Sequence, residues 1–167
     1  MKSLVEKLLI QTNRNNIQSL LQLMELHGYY TARCSRHHRF VGGSMQHSLE
    51  VLLYALENNT YNIPTDSLIL TCLLHDLCNI HGFHEIRRHG SRSVRLITQI
   101  AGVPLTTEES SAILWHMHGS HEIDKLPDDF AQTTQSPLWK LLRKADGYSA
   151  KYSSTPFEIT QRINQLL

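Results

Sequence analysis

The chain has 167 residues, and its 16 lysines and arginines nearly balance its 15 aspartates and glutamates, so its formal net charge is only +1. This length predicts a single domain that buries an adequate core without cross-links. The near-neutral charge excludes proteins that hold long nucleic acid or a membrane surface by a strong basic field, so any phosphate binding must depend on local groups.

Cysteines and apolar runs indicate the compartment. Cys34, Cys72 and Cys78 are odd in number and form no Cys-x-x-Cys pair, which argues against a disulfide framework and is typical of a reducing cytosol. The N-terminal segment loses its apolar character after Ile10, too early for a secretory signal, and no run approaches membrane-spanning length. The sequence therefore predicts a cytoplasmic protein.

Apolar residues recur with helical spacing along the whole chain, and sustained strand-like alternation is absent from the sequence. The first clear pattern runs from Ile17 to Met24 and is predicted to stop at Gly28. Ser44 is predicted to cap a second helix, which ends near Asn58. These patterns predict an all-α fold.

The remaining helices are predicted from apolar spacing and capping residues. One begins near Pro64 and a second runs from about Glu85 to Ala101. Thr106 to Glu109 has the form of a capping box, and Ser136-Pro137 is typical of a helix start. Residues 120–135 are expected to form a loop, and the stretch after residue 152 a tail or a short final helix.

Four side chains of metal-binding type are predicted to face the core. Helical spacing aligns His47 with Val51, and His75 with Cys72. Asp76 follows His75 on a neighbouring stripe, and Asp146 lies four residues after an apolar leucine of a late helix. Two buried carboxylates need a cation or hydrogen-bond donors, and a divalent metal satisfies both at once. Taken singly, each group could instead be a hydrogen-bonded core residue.

The segments around these four side chains resemble the H...HD...D pattern of the HD superfamily of metal-dependent phosphohydrolases. They read GGSMQHSLEVL, LILTCLLHDLCNI and LLRKADGYSA, and the resemblance covers roughly residues 37–150. It implies a single-domain, all-α, orthogonal helical bundle in which His47, His75, Asp76 and Asp146 hold a divalent ion. Residues 1–36 would then form N-terminal scaffold helices, and residues 151–167 the C-terminal tail or short helix.

Two further histidines suggest a second ion. His89 and His116 are also predicted to point inward, and they resemble the additional histidines of dinuclear HD hydrolases, in which Asp76 would bridge the ions. Satisfied core histidines or substrate contacts are the alternative for both. His118 leaves the helical face of His116 and is a weaker candidate. Imidazole with carboxylate suits Fe, Mn, Co, Ni or Zn.

The sequence departs from the frequent HDxxK form, because Asn79 stands where that pattern has lysine. Arg92 and Lys144 are possible substitutes as catalytic cations, although each could be merely a solvated basic residue. The other histidines fall in polar stretches and are expected to be exposed. They are His37, His38, His81, His84 and His121.

The resemblance implies hydrolysis of a phosphate ester or anhydride by a metal-activated water, with His75 and Asp76 at the reacting centre. The expected substrate is a small phosphorylated molecule of nucleotide type, and neither a membrane nor long nucleic acid is an expected partner. The sequence predicts no oligomeric state. Two other functions are compatible with it: a di-iron HD-type oxygenase, and a catalytically inactive, metal-stabilised binding or sensor module.

Overall fold

Helices make up all the regular structure in the computed structural model, which describes residues 1–80, 89–118 and 128–167. The prediction of an all-α fold is therefore confirmed. The described helices are α1 (Lys2–Gln11), α2 (Ile17–Leu26), α3 (Gly43–Glu57), α4 (Thr65–Leu74), α5 (His89–Arg95), α6 (Thr107–Trp115), α7 (Asp128–Thr133), α8 (Pro137–Ser149) and α9 (Pro156–Leu166), with short 3-10 turns at Tyr29–Thr31 and Leu77–Asn79. Within the described ranges, the helices are too short or too polar for any of them to cross a membrane.

Helix α3 lies at the centre of the bundle and packs against α4, α8 and α9. Twelve of its 15 residues are buried, and in α4 every residue from Leu68 to Leu74 is buried. A helix that is apolar on all sides must be covered on all sides, as α4 is, and α3 is covered although its buried residues include the polar Gln46 and Glu50. His47 and the end of α4 at His75 are therefore carried into the interior by ordinary hydrophobic packing.

The Gly42-Gly43 pair starts α3 and brings the preceding loop close to it. Gly42 has φ of +80°, a conformation that favours glycine. A Cβ atom on Gly43 would overlap the backbone carbonyl of His38, so only glycine lets the loop approach here. The prediction that Ser44 caps this helix is wrong, because Gly42 is the N-cap and Ser44 is buried in the first turn.

Helices α5 and α6 pack backbone to backbone at Gly90, where a Cβ atom would clash with the carbonyl oxygens of Ile113 and Leu114. This close approach places the start of α5 beside the end of α6. The described part of the predicted helix at 85–101 begins at His89 and ends in a π-helical turn at Leu96–Ile100, whereas residues 85–88 lie outside the described residues.

Capping residues were reliable guides in the second half of the chain. The capping box at Thr106 and the cap at Ser136 are both present. The predicted loop at 120–135 is wrong for residues 128–133, which form α7, and residues 119–127 lie outside the described part. The final segment forms α9, which packs against α3 and begins with another capping box at Thr155.

A buried ion pair connects the N-terminal helices to α6. Arg14 reaches Glu109 at 2.7 Å and Asp66 at 2.9 Å, and the Glu109 side chain is fully buried. Glu109 also accepts a hydrogen bond from Ser67 and closes the capping box of α6. The buried carboxylate is thus fully compensated, which explains why it is tolerated in the core.

Candidate metal centre

The four side chains of the H...HD...D pattern meet at one point between α3, α4 and α8. His47 Nε2 lies 3.1 Å from Asp146 Oδ1. His75 Nε2 lies 3.9 Å from the same oxygen and 3.8 Å from Asp76 Oδ1. His75 is the C-terminal cap of α4, so the chain turns immediately after it and directs Asp76 to the same point.

A second group shares Asp76 with the first. Asp76 Oδ1 lies 2.7 Å from His89 Nε2 and 3.3 Å from His116 Nε2. The close packing of α5 on α6 at Gly90 is what brings these two imidazoles together. The described residues form four overlapping groups of three possible metal ligands, and Asp76 is common to two of them, one with His47 and His75 and one with His89 and His116.

In His75 and His116, the ring nitrogen that points outward from this cluster has a backbone partner. His75 Nδ1 lies 2.9 Å from the carbonyl oxygen of Cys72, and His116 Nδ1 lies 2.7 Å from that of Ile113. A carbonyl oxygen can only accept, so each Nδ1 must carry the hydrogen and donate it. In the neutral ring, Nε2 then presents a lone pair to the cluster, as a metal ligand requires.

The Nε2 atoms of His47, His75 and His116 are buried and have no hydrogen-bond partner among the described residues. When these rings are neutral, their lone pairs face the carboxylate oxygens of Asp76 and Asp146, and groups that only accept repel one another, so the cluster needs a cation or additional protons. Ligand atoms about 2.1 Å from a shared ion lie about 3.0–3.4 Å apart when adjacent. The 3.1 and 3.3 Å distances of His47 and His116 lie in this range, the 2.7 Å of His89 is shorter, and the 3.8 and 3.9 Å of His75 are longer. The residues present therefore fit a divalent metal ion.

Electrostatics keep both carboxylates ionised. Burial alone would raise the pKa of Asp76, but His75, His116 and His89 outweigh it and hold that pKa well below its usual range. Burial would likewise raise the pKa of Asp146, and His47 and His75 lower it on balance.

The imidazoles divide into two kinds. Burial lowers the pKa of His75 to about 4, so this ring is neutral and ready to bind a cation. Burial would also lower the pKa of His89, but the hydrogen bond to Asp76 raises it to about 10. In the metal-free chain the His89 proton therefore supplies the positive charge that Asp76 needs.

Asn79, at the position of the lysine in HDxxK, holds Asp76 in place. Its Nδ2 donates to Asp76 Oδ2 at 3.2 Å, which leaves Oδ1 facing the histidines. From the sequence, Asn79 was recognised only as a missing lysine, although its spacing of three residues from Asp76 was a signal for this contact. The amide orients the carboxylate but supplies no positive charge.

Neither cation suggested from the sequence is among the described residues that line the cavity over the cluster. Lys144 is exposed, and its Nζ lies over the ring of Tyr54 at 5.9 Å, because α8 turns it away from Asp146. Arg92 is half-buried, one turn after His89 on α5. A catalytic role for either residue stays a prediction.

The expectation that His37 and His38 are exposed is wrong. The His38 side chain is only 4% exposed and pairs with Glu50, and the His37 ring packs 4.5 Å from that of His47. The glycine pair at 42–43 holds their loop against α3, and periodicity cannot report such a contact. His118 packs near the ring of Trp115, whereas His81, His84 and His121 lie outside the described residues.

A cavity of about 880 Å³ opens above the cluster, and Asp76, His89 and Asp146 line it. Arg36 and His37 line the cavity as well, and Trp115, Met117 and His118 add a partly apolar, aromatic region. The position of Arg36 on the cavity could not be predicted, because a single arginine in a polar stretch gives no signal. A small molecule with anionic and flat apolar parts suits this lining.

The bundle and its histidine–aspartate cluster together define a helical protein with a candidate metal centre. Residues 45–151 match the family model of the HD domain, and this match covers more than half of the chain. The chain therefore belongs to the HD domain family, whose members bind divalent metals and are commonly hydrolases. No curated protein and no solved structure matched the chain significantly.

Proposed function

We propose that this protein is a metal-dependent phosphohydrolase that acts on a phosphate ester or anhydride of a nucleotide-like small molecule. The observation that carries the proposal is the convergence of unpartnered Nε2 atoms and ionised carboxylates beneath a cavity of about 880 Å³. Such a cavity is in the size range of small-molecule sites.

In this proposal His47, His75, Asp76 and Asp146 hold one divalent ion. His89 and His116 hold a second, with Asp76 shared between the two. The donor set of imidazole and carboxylate suits Fe, Mn, Co, Ni or Zn. When bound, such an ion lowers the pKa of a coordinated water and neutralises charge on a phosphoryl group.

The chain's own residues then have distinct tasks. Asn79 fixes Asp76 so that one carboxylate oxygen stays directed at both groups of histidines. His75 stays neutral because it is fully buried, so it remains a ligand over a wide range of pH. The buried surroundings also exclude bulk water from the ligand side of the centre, which strengthens each electrostatic contact there.

The cavity lining supports a phosphorylated substrate with a flat apolar part. Arg36 is exposed on this lining and can form paired hydrogen bonds with a phosphate group. Trp115, on the same lining, offers an aromatic surface for a base. Because the formal net charge is only +1, long nucleic acid would gain little from the rest of the surface.

The localisation and domain organisation remain proposals as well. Cys34, Cys72 and Cys78 are buried free thiols, which supports a reducing, cytoplasmic environment. We propose one domain over residues 1–167, with a metal-binding core at 37–150.

The central experiment is elemental analysis of protein purified without chelator, joined to a hydrolysis screen. The substrates are nucleoside mono- and triphosphates, dinucleoside polyphosphates, cyclic dinucleotides and short single strands. We expect about one or two ions per chain and phosphate release that stops when the ions are removed. Metal without turnover would favour the binding or sensor module, and oxygen-dependent turnover would favour the oxygenase.

Arg36 provides a sharper test of the substrate class. Arg36→Ala is expected to raise KM for a phosphorylated substrate about tenfold or more, because a charge-assisted contact of about 1.5–3 kcal/mol is lost. Arg33→Ala is the matched control, since Arg33 is an exposed arginine of the same loop that does not line the cavity. Equal KM values for the two variants would contradict the assignment of Arg36.

A further inference from the structure

Glu50 is a buried carboxylate, 6% exposed, that the proposed reaction does not use. It accepts five hydrogen bonds from other groups of the protein, which replace the water that a surface carboxylate would have. The donors are His38 Nε2, Gln46 Nε2, Ser149 Oγ, Ser153 Oγ and the backbone N–H of Ser154. Glu50 therefore stays ionised inside the bundle, next to the helix that carries His47.

Ser149 connects Glu50 to His47. Its Oγ lies 2.7 Å from Glu50 Oε2 and 3.0 Å from His47 Nδ1. A serine hydroxyl has one hydrogen to donate, and an ionised carboxylate can only accept. The hydroxyl hydrogen therefore goes to Glu50, and Ser149 Oγ must accept from His47 Nδ1.

The other possible acceptor of the Ser149 hydrogen leads to the same result. It is the backbone carbonyl of His47, 3.5 Å away, and this oxygen can also only accept. In both cases the Nδ1 atom of His47 carries the hydrogen. The neutral His47 ring then has its lone pair on Nε2, the atom that faces Asp146 at 3.1 Å.

We propose that Glu50, acting through Ser149, is a positioning residue that keeps His47 in its Nδ1–H form so that Nε2 stays open to a metal ion. This inference rests on the proposed role of His47 as a ligand. Backbone carbonyls give His75 and His116 the same orientation, whereas among the described residues His47 Nδ1 depends on the side chain of Ser149.

The alternative form of His47 shows why this control matters. With the hydrogen on Nε2, His47 would present an N–H group to Asp146 Oδ1, 3.1 Å away, instead of a lone pair. The hydrogen would then lie between these two candidate ligands, where the ion would otherwise bind. Glu50 disfavours the Nε2–H form of His47, because Ser149 donates its hydrogen to Glu50 and then has none to donate to a bare Nδ1.

Glu50 also binds a second imidazole, that of His38. His38 Nε2 donates to Glu50 Oε2 at 2.9 Å, and His38 Nδ1 lies 3.0 Å from His37 Nδ1. The burial of His38 and the placement of His37 against His47 thus depend on the same carboxylate. Hydrogen bonds, led by those from His38 and Ser149, outweigh burial and keep the pKa of Glu50 below its usual range.

The test compares three variants of the full chain. Ser149→Ala removes the acceptor for His47 Nδ1, and Glu50→Gln removes the charge that orients Ser149. Ser153→Ala is the matched control, because Ser153 donates to the other oxygen of Glu50 and makes no hydrogen bond to His47 among the described residues. Affinity for Zn²⁺ and for Mn²⁺ is measured by competition with a chromophoric chelator.

We expect Ser149→Ala and Glu50→Gln to bind the ions about 10- to 100-fold more weakly, the range typical of lost contacts behind a metal-bound histidine. Ser153→Ala should stay within about threefold of the parent chain. Equal affinity of Ser149→Ala and the parent chain would overturn the proposal. So would an equal loss in all three variants, which would indicate general damage to the fold.

A second measurement does not depend on bound metal. The ¹⁵N chemical shifts of the His47 ring in the metal-free chain, assigned with a His47→Gln variant, report which nitrogen carries the hydrogen. We expect the Nδ1–H form at pH 8 in the parent chain and its loss in Ser149→Ala. An Nε2–H form in the parent chain would overturn the inference. Tight metal binding without turnover would instead contradict only the proposed hydrolysis.

Discussion

Replacing Asp76 with asparagine tests whether one carboxylate serves two ions. Asp76 Oδ1 lies within 3.8 Å of the Nε2 atoms of three histidines, of which His75 belongs to the first group and His89 and His116 to the second. The asparagine keeps the size of the side chain but removes its charge. We therefore expect Asp76→Asn to lose both ions.

Asp146→Asn is the matched comparison. Asp146 Oδ1 lies near His47 and His75, and its absence leaves Asp76, His89 and His116 in place. This variant should lose the first ion and keep the second. The two aspartates thus differ in the expected stoichiometry, which elemental analysis measures directly.

Thermal unfolding gives the magnitude. An ion at 100 times its Kd stabilises the folded chain by about 2.7 kcal/mol. For a chain of this size each kcal/mol shifts Tm by about 2–4 °C, so each ion should raise Tm by about 5–11 °C. We expect this rise in the parent chain and none in Asp76→Asn. A normal metal content and Tm rise in Asp76→Asn would refute the shared ligand.

The remaining predictions concern packing, charge and protons. Gly90→Ala should destabilise the chain by about 1–3 kcal/mol in urea, because its Cβ meets backbone oxygens of α6, and it should weaken binding of the second ion. Arg14→Ala should cost about 3 kcal/mol in the same assay, since Glu109 would lose its buried cation; an unchanged midpoint would contradict this. Because the pKa of His89 is about 10, this ring carries a proton at pH 8 and should release about one proton when a metal ion binds. Calorimetric titration in two buffers of different ionisation enthalpy measures the number of protons released.

The helices could largely be predicted, because their caps and apolar faces are local features. Thr106 with Glu109 and Ser136 with Pro137 mark helix starts by chemistry that acts within one turn. The prediction of Ser44 as the cap of α3 was wrong because the helix start is set by the Gly42-Gly43 pair. Gly43 is needed there because the carbonyl of His38, in the preceding loop, lies against it, and such a contact leaves no local signal. Helix α7 is only six residues long and gave too little periodicity to be recognised.

The convergence of the candidate ligands could also be predicted, since most of them lie on, or at the end of, a helix with a buried face. That they bind a metal ion stays a prediction. The residues behind the ligands were not predicted. Glu50 and Ser149 are 99 residues apart. Each lies within a segment that resembles the HD pattern, but neither is one of its histidines or aspartates, so nothing in the sequence indicates that they meet. Asn79 is only three residues from Asp76, so their contact had a local signal, whereas only the folded chain places Arg36 on the cavity.

The hydrogen bond from the backbone N–H of Ser154 to Glu50 has a practical consequence. It ties the connection between α8 and α9 to the same carboxylate that orients His47, so the last helix contributes to the centre without supplying a ligand. Amide hydrogen exchange at Ser154 should therefore slow when an ion is bound. A peptide bond far from the reacting atoms thus becomes a reporter of whether the centre is assembled.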